Sequence, residues 1–85
     1  MKKHTHNNRR NIAGKRIKEA RKRKKLSQSQ LAAKMQVAGT TIEDKMISCI
    51  EIGNRTIYDY ELSAFAKVLG VSVEWLLNET DESNK

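Results

Sequence analysis

An 85-residue chain has room for one domain with a small core, and 38% hydrophobic residues, 32% charged residues and no proline favour helices joined by short loops over a turn-rich sandwich or barrel. Residues 1–25 hold twelve Lys or Arg against Glu19 alone, whereas residues 26–85 hold five against nine acids, so the net charge of +7 is an N-terminal excess suited to a polyanion. No hydrophobic run exceeds three residues, so neither a signal-peptide core nor a membrane-spanning helix is expected and a cytoplasmic location follows; Cys49, the single cysteine, leaves no internal disulfide and no cysteine-rich zinc site.

In chain order, residues 1–10 (MKKHTHNNRR) are basic and lack apolar periodicity, which predicts a flexible arm. His4 and His6 lack the further ligands a structural metal site needs, so no metal is expected, and Arg9 and Arg10 are candidates for phosphate or minor-groove contact. The domain proper is expected over residues 11–78. Its first helix runs from an Asn11 cap to about Lys25, with Ile12, Ile17 and Ala20 inward and a row of Lys and Arg elsewhere. Ser27 followed by Gln30 is a capping box, with Leu26 and Leu31 as its hydrophobic staple, and predicts helix two from Ser27 to about Val37.

Ala38, Gly39, Thr40 and Thr41 interrupt the pattern before helix three, which stops at Gly53 and Asn54 and whose expected buried positions are Met46, Ile47 and Ile50. Two registers are open. In the favoured one Ile42 takes the apolar position ahead of the helix, which begins near Glu43 or Asp44. In the other the helix begins at Thr40 or Thr41 and places Ile42, Met46 and Ile50 on one stripe. Asp59 is the expected cap of a fourth helix carrying Leu62, Phe65, Ala66 and Leu69 and ended by Gly70. Ser72 caps a short fifth helix that returns Trp75 and Leu76 to the core. Residues 79–85 read as a flexible acidic tail.

Two short helices joined by a turn can place the second in a major groove, although many such pairs bind nothing. Specificity enters with three stretches: IKEAR at 17–21, LSQSQLA at 26–32 and ISCIEIGNR at 47–55. Together they resemble the Cro/repressor-type helix-turn-helix family, also called the XRE family. EL at 61–62, AKVLGV at 66–71 and WLL at 75–77 resemble that family's closing helices. The resemblance covers about Gly14 to Leu77, in order. It implies an all-α, five-helix, phage-repressor-like DNA-binding domain whose helices two and three form the helix-turn-helix, helix two lying across the groove and helix three reading bases. By the same resemblance Gln28 sits where relatives touch phosphate or a base edge, and Asn54 and Arg55 sit where they reach the phosphate backbone. Arg21 and Glu51 match an ion pair joining helix one to the end of helix three.

The connection between Val37 and Ile47 is longer than the family's common pattern. In the favoured register the positions matching base readers are Asp44, Lys45, Ser48 and Cys49. Lys45 can donate to guanine, Ser48 can donate or accept, Asp44 can accept from cytosine N4, and Cys49 offers an apolar contact to a thymine methyl. Glu43 and Asp44 are expected foremost to cap the helix, since acids satisfy free amides and complement the dipole there.

The expected function is therefore sequence-specific transcriptional regulation, as a repressor that binds double-stranded DNA as a homodimer. The alternative is an antitoxin or adaptor that uses the same fold to hold a protein partner. No enzyme, cofactor or membrane role is expected: both histidines lie in the arm, Cys49 has no evident base, no glycine loop can cradle phosphates, and the basic face of helix one lacks large aromatic anchors.

Overall fold

The computed structural model describes residues 8–78 and contains five helices and no strand among them: α1 (Gly14–Arg23), α2 (Gln28–Val37), α3 (Asp44–Ile52), α4 (Asp59–Leu69) and α5 (Val73–Leu76). The all-helical class and the number of helices match the expectation. Residues 1–7, with His4 and His6, and the acidic tail at 79–85 lie outside the described residues. No helix among the described residues is long and apolar enough to cross a membrane.

α1 begins at Gly14 with Ala13 in the cap position, two residues past the expected Asn11 cap, and Asn11 still marks the start through its Oδ1, which accepts from the Gly14 N–H at 2.7 Å. Ile17 and Ala20 are buried as expected, whereas Ile12 precedes the helix and is half-buried. The helix ends at Arg23, two residues earlier than expected, because Lys25 adopts the left-handed conformation (φ 59°). Lys25 and Leu26 then donate their N–H groups back to Lys22 O (2.9 Å) and Arg21 O (3.1 Å). This paired closure normally recruits glycine at the left-handed position.

The capping box of α2 is present in both directions: Ser27 Oγ accepts from Gln30 N–H at 3.0 Å, and Gln30 Oε1 accepts from Ser27 N–H at 2.8 Å. Leu26 and Leu31, the expected staple, both join the core. After Val37 the chain turns through Gly39 (φ 96°), and Ile42 enters the core 3% exposed. α3 begins at Asp44, as in the favoured register. Burial on α3 then falls on Ile47, Ile50 and Glu51, one helical stripe. Met46, expected inside, is displaced to the edge of that stripe and is 39% exposed.

The start of α4 differs from the expected Asp59 cap. Asp59 is the first helical residue, and the entry is held by Glu61, whose Oε1 accepts from Tyr58 N–H at 3.0 Å. Phe65, Ala66 and Leu69 are buried and Leu62 is half-buried. Ser72 caps α5 as expected, its Oγ accepting from Trp75 N–H at 2.9 Å.

The helices share one core: α3 packs on α1 and α2, α4 packs on α1, α2 and α5, and α5 returns to α1. Ile17, Leu31, Met35, Ile47, Ile50, Phe65 and Leu76 are fully enclosed, and each such side chain contributes about 1.5–3 kcal/mol on burial. Trp75 stays half-buried, with the Arg16 guanidinium 4.6 Å and that of Arg23 5.6 Å from its ring centre.

The segment ahead of α1 is tied to the end of α3. Arg10 N–H donates to Gly53 O (2.8 Å), Arg9 Nη2 to Glu51 O (3.0 Å), and Asn11 Nδ2 to both Ile50 O (3.0 Å) and Arg55 O (2.7 Å). The last carbonyls of a helix have no partner within it, so this segment supplies the donors that α3 lacks at its C-terminus. Two glycines permit the approach. A Cβ on Gly14 would run into the Ile50 carbonyl, and one on Gly53, already at φ 90°, would strike the Arg9 guanidinium.

Candidate nucleic-acid interface

The outward face of α3 carries Asp44, Lys45 and Cys49, all exposed, and Ser48, half-buried. The Lys45 side chain makes no hydrogen bond or ion pair within the described residues. Asp44 does: its Oδ2 accepts from Ser29 Oγ on α2 at 2.9 Å. The expected capping role is only partly met, since Glu43, at the cap position, makes no side-chain cap bond and Asp44 occupies the first turn. There its charge complements the positive end of the helix dipole. Cys49 is a free thiol.

Gln28, expected at phosphate or base, is half-buried as the first residue of α2, and its Nε2 donates to Glu51 Oε1 at 3.1 Å. Glu51 is also the carboxylate that Arg21 grips with two parallel bonds, Nε to Oε2 at 2.7 Å and Nη2 to Oε1 at 3.0 Å. Arg21 Nη1 donates to Leu26 O at 2.8 Å. The expected pair between helix one and the end of helix three is therefore formed, with side chains 10% and 2% exposed. Hydrogen bonding to Glu51 raises the Arg21 pKa above its ordinary value against the opposing effect of burial.

Beyond α3, Asn54 is exposed, and its backbone N–H closes the helix on Cys49 O at 2.8 Å. Arg55 is turned inward. It makes a second two-bond pair, with Glu61 on α4, at 2.9 and 3.0 Å, and a further bond to Thr56 O at 3.1 Å. Burial alone would push the Glu61 carboxyl up, but the bonds from Arg55 and from Tyr58 N–H outweigh it and hold the group below its ordinary value. Arg55 is correspondingly raised by its bond to Glu61.

The structure thus keeps Lys45, Ser48 and Cys49 together on the open face of α3, with Asn54 just past its end. Gln28 and Arg55 are drawn into internal polar contacts. Sequence reasoning missed Arg9, Asn11, Ser29 and Glu61 as parts of the frame that holds α3. Of these, Asn11 left a signal as an expected cap and Glu61 left one as an acid in the first turn of α4; Arg9 and Ser29 left none. Comparison with protein families and with curated proteins gives no match to this chain.

Proposed function

We propose that the protein binds double-stranded DNA in a sequence-specific way and represses transcription, with α2 and α3 forming a phage-repressor-type helix-turn-helix. The observation that carries this reading is a helix braced at both ends with its outer face left to solvent. At its start, α3 is tied to α2 through Asp44 and Ser29. At its end it is tied to α1 and α2 through Glu51, and its last carbonyls are held by Arg9, Arg10 and Asn11. A reading element has to be held this firmly, because base-edge hydrogen bonds tolerate little misplacement.

In this reading Lys45 donates to guanine, Ser48 bonds a base edge or phosphate, and Cys49 lies against a thymine methyl. Asp44 acts first on Ser29. Asn54 is the phosphate contact just past the helix, and Arg55 acts by fixing the turn that presents it. A homodimer meets an inverted repeat with half-sites about one helical turn, roughly 34 Å, apart.

The test is a footprint on the DNA flanking the protein's own coding region, with binding repeated at 50 and 200 mM salt. A protected site whose affinity falls steeply with salt supports the reading. A second reading, a protein-binding adaptor or antitoxin, draws on Glu43, Asp44 and the exposed Met46 and Ile52 of the same helix. A partner that co-purifies in fixed ratio, with no salt-dependent DNA binding, would replace the first reading with this one.

A further inference from the structure

We infer that Lys18 and Lys22 on α1, with Lys25 in the turn that follows, form a second DNA-backbone contact that grips phosphates outside the bases met by α3. The inference rests on the duplex-binding function proposed above and adds to it a surface and a ligand group.

The sides of α1 are marked by its contacts. Gly14 and Arg21 face α3, the first against the Ile50 carbonyl and the second against Glu51. Arg16 and Arg23 face α5, over the Trp75 ring. Lys24 lies over the end of α4, its Cε 3.6 Å from where a Cβ of Gly70 would stand. At about 100° per residue, Lys18, one turn beyond Gly14, falls on the solvent surface bordering the α3 side, and Lys22 stands one turn further on. Lys25 continues the row into the turn ahead of Ser27 and Gln28, where α2 begins.

All three lysines are exposed, and their side chains make no hydrogen bond or ion pair within the described residues. Glu19, the acid of α1, does not neutralise them. It bonds Arg23 at 2.6 Å and stands 3.6 Å from Arg16, on the α5 side. Like charges four apart on a helix, such as Lys18 and Lys22, destabilise it, and Lys25 also bears the left-handed backbone, so the favourable place of Lys22 in the last turn, at the negative end of the helix dipole, gives no reason for the row as a whole. A row of phosphates does. Lysine meets phosphate as a point charge, without the fork geometry that base or carboxylate recognition uses. The row also has no aromatic or apolar anchor of its own, as a membrane-surface helix would need, because Trp75 lies under the two arginines.

The experiment compares the full chain with K18Q/K22Q/K25Q on a duplex obtained by selection with the wild type, titrated from 50 to 200 mM salt. Each lost phosphate contact removes about 0.9 from the slope of log affinity against log salt, so the triple variant should be shallower by about 2.7. Across that fourfold range the wild type should lose roughly 40-fold more affinity than the variant, while both select the same sequence. The single variants Lys18→Gln and Lys22→Gln should each remove about 0.9, which keeps the test intact should the triple variant fold poorly. An unchanged slope in variants that still bind the selected duplex would overturn the inference and leave the DNA-binding function standing. A wild type that binds no duplex, or prefers phosphatidylserine vesicles to duplex, would overturn both.

Discussion

Glu51 accepts hydrogen bonds from Arg21 Nε, Arg21 Nη2 and Gln28 Nε2, so three donors from two helices converge on one buried carboxylate of α3. Removing it strands the Arg21 guanidinium, which is 10% exposed, and breaking a buried pair in this way costs about 3–5 kcal/mol. Glu51→Ala should therefore lower unfolding free energy by that amount in urea titrations; an unchanged midpoint would contradict the bracing role. Glu61 yields a pH prediction. Its carboxyl titrates below its ordinary value in the folded protein, so the stability it adds is complete above the unfolded value of about 4.3 and is lost as pH falls through the folded one. Melting temperatures followed from pH 6 to pH 3 should fall less steeply in Glu61→Gln than in the wild type, from a lower starting value. The role of Arg55 shows where single-residue reading stops. The family resemblance implied phosphate, and only folding reveals that Glu61 stands beside it.

At the scale of elements, the parts legible in the sequence are those determined within four residues. Ser27 with Gln30, Ser72 before Trp75, and the turn at Gly39 all act as their local chemistry demands. Helix starts without such a signal were read less well. Asp59 looked like a cap, yet the bond at that entry comes from Glu61, and Glu43 takes the cap position of α3 without using its side chain. The end of α1 was hidden because lysine, not glycine, takes the left-handed position there. That position carries its own prediction. Lys25→Gly should relieve backbone strain and raise stability by about 0.5–1 kcal/mol in chemical denaturation. The same variant should weaken DNA binding and reduce its salt slope, so stability and affinity move in opposite directions. Gly14→Ala should destabilise, because its Cβ would meet the Ile50 carbonyl at the crossing of α1 and α3.

For the whole molecule, the uneven charge pointed to a polyanion, and the order of the family-like segments implied a five-helix domain with α3 as its outward helix. Of the frame around α3, the Arg21–Glu51 pair was implied by the family resemblance, but the ties from the segment ahead of α1 were not legible. Arg9 and Asn11 lie about forty residues from the carbonyls they bind, and no local pattern links positions so far apart. Their contacts tie the segment ahead of α1 to the end of α3 and leave Lys45, Ser48 and Cys49 as the open side of a helix anchored at both ends. The most direct test of that arrangement is selection of bound sites from random duplexes with the wild type and with Lys45→Ala. The account predicts an enriched inverted repeat with half-sites about one turn apart, and loss of preference worth about 1–3 kcal/mol at one base pair of each half-site in the variant. Recovery of no enriched sequence by the wild type, or of an identical preference by both proteins, would contradict it.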